Sequence, residues 1–93
     1  MDIRDVYRAL KRKLQAIEDR RGDHIIFYFE IDGEQERATK LSHGASGHLS
    51  DSLAALMARQ LRLRKREFED LVGCPMGREA FFKIWADRKG LPM

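Results

Sequence analysis

Histidines, a nearby lysine and a run of basic residues are the side chains of this sequence that could act together on a phosphodiester. His24 follows Gly22 and Asp23 at the head of an apolar segment, and His43 ends a second segment that contains Lys40. Imidazole titrates near neutrality, so either histidine could take up or release a proton during RNA cleavage. Lys40 could stabilise the charge that develops on the phosphate.

Each of these residues also has a plainer interpretation. A single histidine at the start of a strand is often only solvated, and Ser42-His43-Gly44 is a sequence of the kind that commonly ends a strand. One lysine on a hairpin commonly serves solubility. Both interpretations stay open on these residues alone.

A basic segment follows the histidines, and no acidic residue lies between Ser52 and Arg66. Its cationic side chains could follow an RNA backbone, because double-stranded RNA is recognised largely through phosphates and 2′-hydroxyls. The basic set consists of Arg59, Arg62, Arg64, Lys65 and Arg66. A solvated helical face explains this set equally well, since protein surfaces are routinely this charged. Tyr28 could stack on a base, or it could simply cover the hairpin.

Composition narrows the classes of protein that remain. The 93 residues suit one domain, and 43% apolar with 35% charged residues are typical of a folded chain with a charged surface. The longest apolar run, Ile25 to Phe29, is too short for a membrane span, and the charged N-terminus is unlike a signal peptide. We therefore expect a cytoplasmic protein without membrane association. A single cysteine and three scattered histidines lack metal-ligand spacing, so we expect no metal or other cofactor.

Apolar spacing predicts the elements that would position these side chains. Segments with helical or strand periodicity alternate with turns, so we expect a small α+β domain in which helices cover an antiparallel sheet. The predicted helices span residues 2–19, 51–62, 65–72 and 77–88. The predicted strands span residues 24–31 and 36–42. Residues 1–93 are expected to form one domain, with a core in 1–73 and a C-terminal helical extension in 74–93.

The turn at Asp32-Gly33 determines which side chains of the hairpin share a face. Loops of two to four residues fit this turn. A three-residue loop pairs Ile25 with Leu41 on the core face and puts Lys40 beside His24 on the other face, whereas a two-residue loop would bury Lys40. We therefore expect the three-residue loop.

A series of short motifs runs through most of the chain. They are an N-terminal helix, Gly22-Asp23-His24 at a strand, a second strand ending in His43-Gly44, a helix reading Ser52-Leu53-x-x-Leu56-Met57, and then Arg66-Glu67-Phe68. Over about residues 3–72 this order resembles HicA-type mRNA interferase toxins. The sequence departs from that family at Asp23, where serine is favoured, and at Leu41-Ser42, where Pro-Arg often precedes His-Gly.

The resemblance implies a double-stranded-RNA-binding-domain-like fold, here with an extra C-terminal helix, and mRNA cleavage through a histidine on the first strand. The matching position is His24, so we expect a metal-independent endoribonuclease, with Lys40 or His43 assisting. The alternatives are a non-catalytic RNA-binding module and a protein-interaction module on the same fold.

The resemblance also implies a HicB-type antitoxin as protein partner. The acidic stretch from Asp23 to Glu36 and the aromatic segment from Phe81 to Trp85 are each able to form part of an interface. The aromatic segment fits the hydrophobic core more simply.

Overall fold

Within residues 1–42, 47–73 and 75–89, which a computed structural model of the chain describes, one helix is followed by a three-stranded antiparallel sheet and then by three helices. The helices are α1 (Ile3–Arg8, continued by a π-helical segment, Ala9–Lys13), α2 (Asp51–Gln60), α3 (Lys65–Val72) and α4 (Arg78–Asp87). The strands are β1 (Ile17–Arg21), β2 (His24–Ile31) and β3 (Glu34–Ser42). The predicted α+β class is confirmed, while the likeness to a double-stranded-RNA-binding domain stays a prediction.

The N-terminal helix ends earlier than the sequence predicts. Gln15 has a φ of 56°, in the left-handed region through which a right-handed helix does not continue. Residues Ile17–Arg21 form β1 instead of the end of the predicted helix 2–19. That prediction was wrong because Ile17 continues the helical spacing of Leu14, whereas the strand depends on pairing with β2, which local periodicity does not report.

A tight turn joins β1 to β2 and makes His24 the first residue of the second strand. Gly22 has a φ of 58°, which suits a two-residue turn at Gly22-Asp23, and Arg21 pairs directly with His24. The expected position of this histidine, on the first strand, is therefore corrected.

The second hairpin reaches the predicted register by a different route. Asp32 and Gly33 have φ values of 53° and 82° and form a two-residue turn, so β3 begins at Glu34 and not at the predicted residue 36. An irregularity of the β-bulge type further along the ladder absorbs one residue, and Ile25 pairs with Leu41. The three-residue loop was wrong, whereas the pair on the core face is confirmed.

The hydrophobic core lies between the helices and one face of the sheet. Phe27 and Phe29 of β2 are buried there together with Leu10 of the N-terminal helical segment. The ring centroids of Phe81 and Trp85 lie 5.5 Å and 5.0 Å from that of Phe29, and both residues are buried. The expectation that the C-terminal aromatic segment packs into the core is confirmed, so these two rings form no open surface for a partner.

The C-terminal helices match their predicted positions closely. Helix α3 spans the predicted residues 65–72, and α4 falls one residue short at each end. Helix α2 ends at Gln60, and Arg62 then has a φ of 61°, which turns the chain toward α3. No helix in the described residues is long and apolar enough to cross a membrane.

Candidate nucleic-acid interface

The face of the sheet that points away from the core, the outer sheet face, carries three of the candidate residues, His24, Tyr28 and Lys40. Side chains alternate between the two faces along β2, so His24, Ile26 and Tyr28 point away from buried Ile25 and Phe27. His24 is exposed, and Ile26 and Tyr28 are half-buried. This face therefore carries a titratable group at one end of β2 and an aromatic ring farther along the same strand.

A cationic side chain lies beside His24. Arg21 of β1 is its cross-strand partner, and such partners share a face with Cβ atoms about 4.5–5.5 Å apart. The Nε atom of Arg21 donates to Oδ2 of Asp19 at 2.8 Å, and this hydrogen bond raises the pKa of the guanidinium. The guanidinium is thus held next to the imidazole as an ion pair with Asp19.

Lys40 approaches His24 from the other neighbouring strand. It pairs with Ile26 and so lies diagonally across from His24 on the outer sheet face, at a spacing of about 7–8 Å. Both side chains also line a groove of about 220 Å³ between the sheet and α2. The predicted proximity of Lys40 to His24 is confirmed, whereas their chemical role stays a prediction.

Tyr28 lies farther along the same face. Its cross-strand partners are Ile17 of β1 and Arg37 of β3, and Arg37 is exposed. An aromatic ring between an apolar neighbour and an arginine is a surface on which a base can stack and a phosphate can be held. Sequence reasoning selected Tyr28 but not Arg37.

The members of the predicted basic set have different surroundings in the structure. The guanidinium of Arg62 lies 3.7 Å from the ring centroid of Trp85, and its Nη1 donates to the carbonyl oxygen of that residue at 2.7 Å. Lys65 forms an exposed ion pair of 3.6 Å with Asp51. The remaining members, Arg59, Arg64 and Arg66, are exposed around the junction of α2 and α3.

The remaining histidines of the sequence are His43 and His48. His43 lies outside the described residues. His48 contacts the N-terminal amine of Met1 through Nδ1 at 3.2 Å, and it forms an isolated bridge with Asp2. In the described part of the chain, no group of three or more His, Cys, Asp or Glu side chains is arranged to hold a metal ion.

Arg21 and Arg37 are the residues of this surface that the sequence analysis missed. Arg21 follows the predicted helix 2–19 and precedes the first predicted strand, so its pairing with His24 could not be inferred. The available signal was Gly22-Asp23, a glycine-first dipeptide of the kind found in two-residue hairpin turns, between residues able to form strands. Taking that signal together with Ile17 as the start of a strand would have placed Arg21 opposite His24.

Comparison with known proteins adds no family to these observations. The sequence matches no protein-family model, and neither the curated proteins nor the solved structures include a significant match. The resemblance to HicA-type toxins therefore stays a prediction from the sequence.

Proposed function

We propose that this protein binds RNA on the outer sheet face and cleaves it by metal-independent acid–base chemistry at His24. The observation that carries the proposal is an exposed imidazole between two cationic side chains, Arg21 and Lys40, on a face that also presents Tyr28. A phosphate held by the two cations would lie within reach of the imidazole. The ring of Tyr28 offers a stacking surface for a neighbouring base.

The chemistry requires a proton transfer that a single imidazole can begin. As general base, His24 takes the proton of the 2′-hydroxyl while the 2′-oxygen bonds to phosphorus and the bond from phosphorus to the 5′-oxygen breaks. The leaving oxygen receives a proton from an acid, a role for which His43 is the predicted candidate, or from water. Lys40 and Arg21 stabilise the negative charge on the non-bridging oxygens.

The test is RNA cleavage by the wild-type protein and by the His24→Ala variant. We expect a loss of about 10²–10⁴-fold in rate, which is typical when a general acid or base is removed. The fold should persist, since His24 is an exposed residue at the end of a strand. His48→Ala is the matched control, and it should cleave like the wild type.

Two further measurements sharpen this test. Cleavage should survive EDTA, and a substrate with a 2′-deoxy sugar at the scissile position should resist cleavage while still binding. If the wild type does not cleave RNA but binds it through the outer sheet face, the non-catalytic RNA-binding module is the correct alternative. Equal cleavage by wild type and His24→Ala would refute the assignment of His24.

A protein partner is a second proposal, and one specific observation favours it. Leu53 and Leu56 of α2 are 42% and 47% exposed, and they line the same groove as His24 and Lys40. Apolar side chains that stay exposed together can serve as an interaction surface. A HicB-like antitoxin that filled this groove with an apolar side chain and met Lys40 with a carboxylate would cover His24.

Co-expression with the product of the neighbouring gene in the native host tests this partner. We expect a complex that suppresses cleavage and that is lost in the double variant Leu53→Gln and Leu56→Gln. The His24→Ala variant should still form the complex, because an exposed imidazole contributes little contact area. Binding that ignored the two leucines would contradict the proposed interface.

A further inference from the structure

A second cationic surface lies on the opposite side of the sheet, in a cleft of about 450 Å³ between the N-terminal helical segment and the sheet. We call it the α1 cleft. Among the described residues, its lining has five cationic side chains and no acidic one, the cations being Arg4, Arg8, Lys11, Arg12 and Arg20. A cavity of this size accommodates a ligand about as large as one nucleotide.

The cationic side chains of the cleft come from the N-terminal helical segment and from β1, and the residue spacing of each element directs them there. Arg4, Arg8, Lys11 and Arg12 recur at intervals of four, three and one, which places them on one side of the helical segment. Arg20 reaches the cleft from β1, because it pairs with Ile25 and so lies on the face of the sheet that is turned toward the helices. Positive charge therefore lines both walls.

A carboxylate at the edge of the cleft fixes part of this arrangement. Glu18 accepts a hydrogen bond of 2.6 Å from the hydroxyl of Tyr7, and this bond is the main reason that the pKa of Glu18 is lowered. Its oxygens also lie 2.7 Å from Nε of Arg20 and 3.6 Å from Nζ of Lys11. The ionised Glu18 thus holds one cation from each wall in place.

Arg8 and Arg12, the outer cations of the cleft, are less neutralised by acidic side chains than Lys11 and Arg20. Arg8 has an ion pair of 3.4 Å with Asp5 in which both side chains are more than half exposed, so solvent weakens it. Arg12 forms no ion pair within the described residues, and its side chain is exposed. Five cations lie near three acids, Asp2, Asp5 and Glu18, and the surplus of positive charge favours an anionic ligand.

The cleft and His24 lie at the same end of the sheet. Ile25 lines the cleft and follows His24 in β2, and Arg20 lines it and precedes Arg21, the cross-strand partner of His24. A strand of nucleic acid whose phosphates lay in the cleft could therefore continue around the edge of β1 to His24.

We propose that the α1 cleft binds the phosphate backbone of single-stranded RNA and leads the strand to His24. The proposal rests on the function proposed above, and it assigns the main phosphate contacts to Arg8 and Arg12. The basic set between α2 and α3 then has a minor share in binding.

Binding of a single-stranded DNA oligonucleotide tests the cleft separately from catalysis, because DNA lacks the 2′-hydroxyl that cleavage needs. The variant carries Arg8→Gln and Arg12→Gln. Each lost phosphate contact on a single strand flattens the slope of log affinity against log salt by about 0.7, so two contacts change it by about 1.4. From 50 to 200 mM salt, the affinity of the wild type should therefore fall about sevenfold more than that of the variant.

Matched variants separate a local contact from a change in total charge. Lys83→Gln with Lys89→Gln removes two charges, one on α4 and one just after it, and should bind like the wild type. Arg8→Lys with Arg12→Lys keeps the charge and should retain the wild-type salt slope. Arg59→Gln with Arg66→Gln removes two charges from the basic set. We expect it to change the salt slope of DNA binding less than the cleft variant does.

The outcomes distinguish the cleft from the nuclease. If the wild type cleaves RNA but the variant Arg8→Gln with Arg12→Gln binds DNA as tightly as the wild type, the proposed role of the cleft is overturned and the proposed nuclease activity is not. If DNA binding depends on the cleft but the wild type does not cleave RNA, the nuclease activity is overturned and the role of the cleft is not. If the α4 variant and the cleft variant lost DNA affinity equally, the effect would be one of net charge. If pyrophosphate bound as tightly as the oligonucleotide, the cleft would be a site for a small anion. Both results would overturn the proposal.

Discussion

Replacing Arg62 by glutamine should destabilise the fold, although Arg62 belongs to a basic set that the sequence presents as an RNA-binding face. Its guanidinium lies 3.7 Å from the ring centroid of Trp85, and its Nη1 donates to the carbonyl oxygen of Trp85 at 2.7 Å. The carbonyl oxygen of Arg62 accepts a bond of 2.8 Å from Arg88. Arg62 therefore joins the end of α2 to α4.

The size of the effect follows from these contacts. A cation over an aromatic face contributes about 0.5–1 kcal/mol when it is partly exposed. A hydrogen bond from a charged donor contributes about 1.5 kcal/mol at the lower end of its range, which suits a half-buried side chain. Together they give a loss of about 2 kcal/mol in the free energy of unfolding. For a domain of this size the melting temperature should fall by about 8–16 °C.

Thermal and urea denaturation of a small series checks this reasoning. Arg66→Gln, at an exposed position, should change stability by no more than about 0.5 kcal/mol. Arg62→Lys keeps the charge but loses the planar donor group, so its stability should fall between those of wild type and Arg62→Gln. If Arg62→Gln melted with the wild type, the contacts with Trp85 would contribute no stability and Arg62 would return to the RNA-binding candidates.

Two further predictions concern stability. The pKa of Glu67 is held below its ordinary value of 4.5, chiefly by hydrogen bonds from Arg88, so this pair stabilises the fold above about pH 4.5 and loses its contribution as the pH falls through the lowered pKa. Urea denaturation across this pH range should show that Glu67→Gln loses less stability on acidification than the wild type. Parallel curves of stability against pH for the two proteins would contradict this prediction. Gly33→Ala should cost about 1 kcal/mol in thermal unfolding, because Gly33 has a φ of 82° with open space around it. Gly33→Asn should cost less, since asparagine tolerates positive φ, and equal losses would refute the argument.

The fold is predictable from the sequence where burial has a clear local period. Helix α3 and strand β2 occupy the predicted spans 65–72 and 24–31, because their apolar residues follow one period and turn residues bound them. Strand β1 has no such signal. Only Ile17 in it is apolar, and its hydrogen-bond partners belong to another segment.

The candidate site shows the same division between local and nonlocal information. The pairing of Ile25 with Leu41 was predictable because both side chains must face the core, although the two-residue turn and the bulge that achieve it were not. Within the basic set, Arg62 looks like its neighbours in the sequence. Its contact with Trp85 depends on a left-handed backbone at residue 62 and on a helix that begins sixteen residues later.

The strand that the sequence did not reveal links the two proposed parts of the RNA surface. Consecutive residues of a strand point to opposite faces, so Arg20 lies in the α1 cleft while Arg21 lies beside His24. Two adjacent arginines therefore place positive charge on both sides of one sheet edge. Each arginine is held by a carboxylate of the same strand, Arg20 by Glu18 and Arg21 by Asp19, so a substitution that disrupted β1 would weaken binding in the cleft and charge stabilisation at His24 together.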